Sequence, residues 1–95
     1  MRKNLRDYKP VGMKCDKKNW NHIGVDLNRN YPFGFDSKAA STDPCVFSYR
    51  GPAPFSEPET QAVRDFLLKW KNIKLAINLH AKGNYMLTPF HSQDE

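Results

Sequence analysis

The sequence predicts an α/β architecture, a sheet with helices on its faces, and three observations carry that prediction. A helix-start signal at Ser56-Glu57-Pro58-Glu59 opens a stripe of apolar residues at helical spacing. The run from Ile73 to His80 alternates in the manner of a strand. A shorter stretch, apolar at Ile23, Val25 and Leu27, has the same alternation and offers a second, brief strand. A helix followed directly by a strand suits a sheet covered by helices.

Taken in order, residues 1–22 show no periodicity and read as a polar connection, with turn signals at Lys9-Pro10 and Val11-Gly12. Residues 30–55 are rich in proline, glycine, serine and aromatics, and long loops of this kind in compact domains tend to be functional. The helix is predicted from Glu57 to about Lys71. Ser56 is its expected N-cap, Glu59 sits at N3, and a proline lies inside the first turn. Ala62, Val63, Phe66, Leu67 and Trp70 form its apolar stripe. In the strand that follows, Leu75, Ile77 and Leu79 point one way and Ala76, Asn78 and His80 the other. Gly83-Asn84 marks a bend before Tyr85-Met86-Leu87 resumes an extended run. The 95 residues allow one small domain and a modest core.

The formal net charge of +5 raises the question of an anionic partner. Much of the excess lies within residues 1–18, and the rest is nearly balanced, which favours a solvated basic surface over a nucleic-acid site. The aromatics are not interleaved with basic residues on one element, so a salt-sensitive nucleic-acid binder ranks low. No apolar run is long enough to span a bilayer, and no apolar core follows the basic N-terminus as in a signal peptide. Cys15 and Cys45 read either as a disulfide or as two free thiols. A bridge between them would close a loop of about 30 residues, worth about 3–4 kcal/mol in the chain-entropy picture.

Three constellations can carry chemistry. In Asp26-Leu27-Asn28-Arg29-Asn30 the arginine offers a planar fork matched to a carboxylate or phosphate. Asn28 adds a neutral donor, and Asp26 is placed to orient the arginine. Spacing alone favours a surface loop with a salt bridge. His80, ending the predicted strand, suits a metal ligand, a base or a half-buried structural residue, and one histidine is not a zinc site. Arg2-Lys3-Asn4 alone is a basic tail. His91 in His91-Ser92-Gln93-Asp94 lies at a terminus prone to fraying, and His22 has no partner that spacing identifies.

Taken together, these stretches resemble the zinc carboxypeptidases related to pancreatic carboxypeptidases A and B. Gly24-Val25-Asp26-Leu27-Asn28-Arg29-Asn30-Tyr31 is similar to that family's substrate-clamp signature. Further similar stretches follow in the same order. They are Thr42-Asp43-Pro44-Cys45 with Tyr49-Arg50-Gly51-Pro52, then Pro54-Phe55-Ser56-Glu57-Pro58-Glu59-Thr60, then Ile77-Asn78-Leu79-His80. Arg2-Lys3-Asn4 falls where the family carries an arginine near its active centre. The resemblance covers nearly all of the chain and is weakest over residues 5–22.

The resemblance implies a partial carboxypeptidase-type mixed sheet with flanking helices, with residues 1–95 as a single incomplete segment of a catalytic domain. It implies that Asn28 and Arg29 hold the C-terminal carboxylate of a peptide or protein substrate. Arg2 would polarise the scissile carbonyl and stabilise the oxyanion, and His80 would be one ligand of a Zn2+ cofactor. Cys15 and Cys45 would bridge beside the clamp. The implied reaction is zinc-assisted attack of water on the terminal peptide bond, the metal acidifying the water and polarising the carbonyl, with Arg2 meeting the developing charge. A monomer in the secretory pathway or outside the cell is expected, acting on neither nucleic acid nor membrane. Lys82 replaces the family's usual aromatic, and Thr88 stands where a tyrosine is common. No H-x-x-E occurs in the 95 residues, so two zinc ligands are absent from them, as are the family's general-base glutamate and mobile tyrosine. The expectation is a metallocarboxypeptidase segment inactive by itself. The alternative is a non-catalytic binder of peptide C-termini that keeps the clamp.

Overall fold

Val25 and Asp26 lie at the centre of the structure, a computed structural model in which residues 3–6, 14–15, 23–81 and 83–88 are described. Asn4 donates its N–H to the Val25 carbonyl at 3.0 Å, and its side-chain Oδ1 accepts from the Val25 N–H at 2.8 Å. On the other side, Asp26 donates to the Tyr49 carbonyl at 2.7 Å. Isolated bridges pair Lys3 with Asp26 in antiparallel sense and Ser41 with Tyr49 in parallel sense. Four separate stretches thus lie side by side, joined by single bridges and by no longer ladder among the described residues.

The short strand expected over Ile23–Leu27 shrinks to the bridge at Asp26, for two local reasons. Gly24 has a φ of +79°, and a Cβ there would lie 1.7 Å from the Asn4 carbonyl oxygen, so only glycine permits the close pairing of the two stretches. After Asp26 the chain turns into a 3-10 helix, Leu27–Arg29, because Asp26 Oδ1 accepts from the Asn28 N–H and caps it.

Helix α1 spans Pro58–Lys69, with Glu57 rather than Ser56 as its N-cap and Pro58 at N1. The expected capping box does not form. Ser56 Oγ is committed instead to Glu57 Oε1 at 2.9 Å, while Glu59 reaches toward Asn4 Nδ2 at 3.4 Å. Glu59 in the first turn and Lys69 in the last still complement the helix dipole. The predicted stripe faces outward, with Val63, Phe66, Leu67 and Trp70 all exposed. Residues 73–80 make no backbone ladder bonds among the described residues, and Leu75, Ile77 and Leu79 are exposed. A lone extended segment has no other strand to satisfy its N–H and C=O groups, so alternation alone does not make it a strand.

The buried set is unusually polar. Val25, Phe35, Ala40 and Tyr49 are joined in it by Lys3, Asp26, Asn30, Glu57 and Thr60. Buried polar groups are tolerated when hydrogen-bonded, and these are. Lys3 Nζ donates to the carbonyls of Pro44 at 2.8 Å and Val46 at 3.1 Å, on either side of Cys45. Cys45 is joined to Cys15 by a disulfide, with 5.3 Å between their Cα atoms. The loop between α1 and residue 41 is further held by Arg50, which donates to the Phe35 carbonyl and to Asp36 and stacks 4.2 Å above the Phe35 ring.

Candidate substrate-carboxylate site

Asn28 and Arg29 occupy the 3-10 turn, and the chain fixes that turn from both ends. Asp26 Oδ1 holds the Asn28 N–H at 3.2 Å, and the Asp26 carbonyl accepts from the Arg29 N–H at 2.9 Å. Asn30 closes the turn by donating to the Leu27 carbonyl at 3.2 Å. The sequence reading placed Asp26 as an orienting partner of the arginine. It orients the backbone of the turn instead, and no ion pair joins it to Arg29 among the described residues.

Asn28 is exposed and Arg29 half-buried. Arg29 Nε is shielded from solvent and has no hydrogen-bond partner among the described residues. The rest of the Arg29 side chain keeps partial exposure, and a guanidinium fork is matched to a carboxylate, which accepts two parallel N–H bonds. Asn28 lines an open groove of about 450 Å³, together with Tyr31, Val63 and Leu67 of α1, and Ala76, Ile77 and Asn78. The groove therefore has two amides, Asn28 and Asn78, among mostly apolar walls, the pattern of a pocket that orients a ligand by a few polar groups.

The other sequence-nominated residues are less gathered. His80 is exposed, two residues beyond Asn78, and makes no hydrogen bond or ion pair with the described residues. No group of three histidine, cysteine or acidic side chains capable of holding a metal occurs among the described residues. A catalytic zinc takes about three protein ligands, so His80 alone does not fit a zinc site. Arg2, Lys82, His22 and His91 lie outside the described residues. Thr88 is exposed.

What the sequence reading left without a role is the lattice of polar side chains behind the turn. Asn30, fully buried, donates through Nδ2 to the carbonyls of Arg50 at 2.8 Å and Ala53 at 3.1 Å and to Ser56 Oγ at 2.8 Å. Its Oδ1 accepts from the Glu57 N–H at 3.3 Å and from Thr60 Oγ1 at 2.7 Å. Backbone carbonyls only accept, so this arrangement fixes which end of the amide is nitrogen. Glu57, also fully buried, takes Asn4 Nδ2 at 2.6 Å and the Ser56 hydroxyl. These residues stood inside the quoted motifs, but apart from the adjacent Ser56–Glu57 pair their partners are 20 to 53 positions away in sequence, where spacing gives no signal. Burial raises the Tyr49 phenol above its ordinary value, and the nearby Glu57 carboxylate adds to the rise while Arg50 opposes it.

Residues 2–95 match the family model described as zinc carboxypeptidase, and the chain belongs to that family. It is 45% identical over 69 residues to mast cell carboxypeptidase A of Rattus norvegicus, covering 72% of this chain and 17% of that protein. It is 40% identical over 68 residues to carboxypeptidase A5 of Homo sapiens and 41% identical over 68 residues to carboxypeptidase A1 of Rattus norvegicus, each match covering 72% of this chain and 16% of the relative. The matched region thus spans about a sixth of the length of these relatives.

Proposed function

We propose that this segment supplies the substrate-carboxylate clamp of a zinc-dependent carboxypeptidase that removes C-terminal residues from peptides. The observation that carries the reading is that Asn28 and Arg29 share one turn fixed at both ends, with exposed Asn28 lining a mostly apolar groove. Arg29 and Asn28 hold the terminal carboxylate, and the groove takes the adjoining side chain. Arg2 meets charge developing on the scissile carbonyl oxygen, as a preorganised cation does in such sites. His80 contributes one zinc ligand, and the remaining ligands and the general base come from residues beyond these 95. In the whole protein the segment forms part of a mixed sheet with flanking helices. The Cys15–Cys45 disulfide supports a secreted or secretory-pathway protein, where such bonds persist. It acts as a monomer on peptide or protein C-termini, and binds neither nucleic acid nor membrane.

A second reading, a non-catalytic binder of peptide C-termini, draws on the fact that Asn28 and Arg29 are held in one turn by Asp26 and Asn30 of this segment. Assay of the whole protein on a blocked dipeptide separates the two. Chelator-sensitive release of the terminal residue supports the enzyme, whereas carboxylate-dependent binding without release supports the binder. Failure to distinguish a free carboxylate from its amide would overturn both.

A further inference from the structure

Asn28 and the groove wall are carried by separate elements. Asn28 belongs to the 3-10 turn Leu27–Arg29, whereas Val63 and Leu67 belong to α1. Whatever ties that turn to α1 therefore sets the distance between the carboxylate clamp and the wall beside which the terminal side chain would lie. The tie is narrow. Asn30 follows the turn directly, closes it by bonding Leu27, and extends its carboxamide to Thr60 Oγ1 and the Glu57 N–H at the start of α1. The same carboxamide, with the Asn30 carbonyl accepting from Phe55 at 2.8 Å, pins the turn to the intervening loop 50–56.

We propose that Asn30, completed by Thr60, is the positioning residue of the clamp: it holds Arg29 and Asn28 in register with the α1 wall of the groove. The inference rests on the clamp reading above. Asn30 and Thr60 are 0% and 1% exposed, so neither meets substrate, and both act through the residues they hold. Thr60 has a single hydroxyl hydrogen shared between Asn30 Oδ1 at 2.7 Å and the Glu57 carbonyl at 2.9 Å. Removing that hydrogen leaves the Asn30 oxygen short of a donor without changing the shape of the side chain. In catalysis a misplacement of about 1 Å costs up to roughly a hundredfold in rate, and a directional carboxylate contact is sensitive to displacement in the same way.

The test uses the whole protein and a peptide with a non-hydrolysable terminal bond, prepared as the free acid and as the amide. Isothermal titration gives the ratio of the two affinities. Asn30→Ala and Thr60→Val are expected to lower the free-acid preference by roughly tenfold or more, and Thr60→Ser to restore it. General loss of fold would weaken both peptides alike and leave the ratio unmoved. Should Asn30→Ala fail to fold, the Thr60→Val and Thr60→Ser pair carries the comparison. An unchanged ratio in folded Thr60→Val overturns the positioning role, provided that Arg29→Ala abolishes the preference. An unchanged ratio in Arg29→Ala overturns the clamp reading itself.

Discussion

A shielded guanidinium nitrogen without an acceptor is costly to maintain, because desolvating a donor is favourable only when something replaces the lost water. Arg29 Nε is in that condition, while the partly exposed remainder of the side chain is what a carboxylate would meet. Substituting Arg29→Lys keeps the charge but loses the planar fork. Affinity for a free C-terminus in that variant is expected to fall by about tenfold, read by titration in the whole protein, given that hydrogen bonds to charged groups are worth about 1.5–3 kcal/mol. Tyr49 offers a second residue-level check. Its folded-state pKa is raised, so the neutral phenol stabilises the fold fully below pH 10 and that contribution is lost as pH rises through the folded value. Denaturant melts between neutral pH and pH 11 should show an alkaline decline that Tyr49→Phe reduces. At this scale the sequence was informative about chemistry and poor about partners. Asn28 and Arg29 stand out by residue type, whereas the backbone cap made by the Asp26 carboxylate is a contact that residue type alone does not announce.

At the scale of elements, side chains decide where helices and turns begin. The motif Ser56-Glu57-Pro58-Glu59 correctly signals a helix start, yet Ser56 is drawn into the Asn30–Glu57 network and the cap moves one residue on. The difference is a tertiary contact 26 residues away, beyond the reach of a local rule. The extended run 73–80 was legible as alternation, but a strand requires neighbours, which the described residues do not provide. Gly51 shows how tightly the loop is set: its φ is +86°, and a Cβ would lie 2.6 Å from Ser56 Oγ and 2.8 Å from Asn30 Nδ2. Gly51→Ala should therefore cost about 1–3 kcal/mol, measured by thermal unfolding, and reduce carboxylate preference with it. Cys15–Cys45 braces the carbonyls that receive Lys3, and Cys45→Ser should lower stability by about 3–4 kcal/mol for a loop of this length.

Across the described residues, buried polar groups concentrate behind the Leu27–Arg29 turn while many large apolar side chains are exposed. Leu75, Ile77, Leu79, Met86 and Leu87 are exposed together with the α1 stripe, and exposed apolar surface of this extent ordinarily marks a site of contact. In the proposed whole enzyme, the rest of the catalytic domain covers this surface. The isolated 95-residue chain is accordingly expected to bind an apolar dye strongly and to hydrolyse no blocked dipeptide, as fluorescence and a peptidase assay would record. Family membership was legible because several short motifs recur in order. A metal site is less legible, because its ligands are brought together from distant parts of a chain. The most direct measurement is the affinity of the whole protein for a peptide as free acid and as amide, with Arg29 intact and as Arg29→Ala. A strong preference for the free acid that vanishes in Arg29→Ala is the predicted result. Equal affinity for the two peptides in the unsubstituted protein, or a preference that survives Arg29→Ala, would contradict the assignment of the carboxylate site.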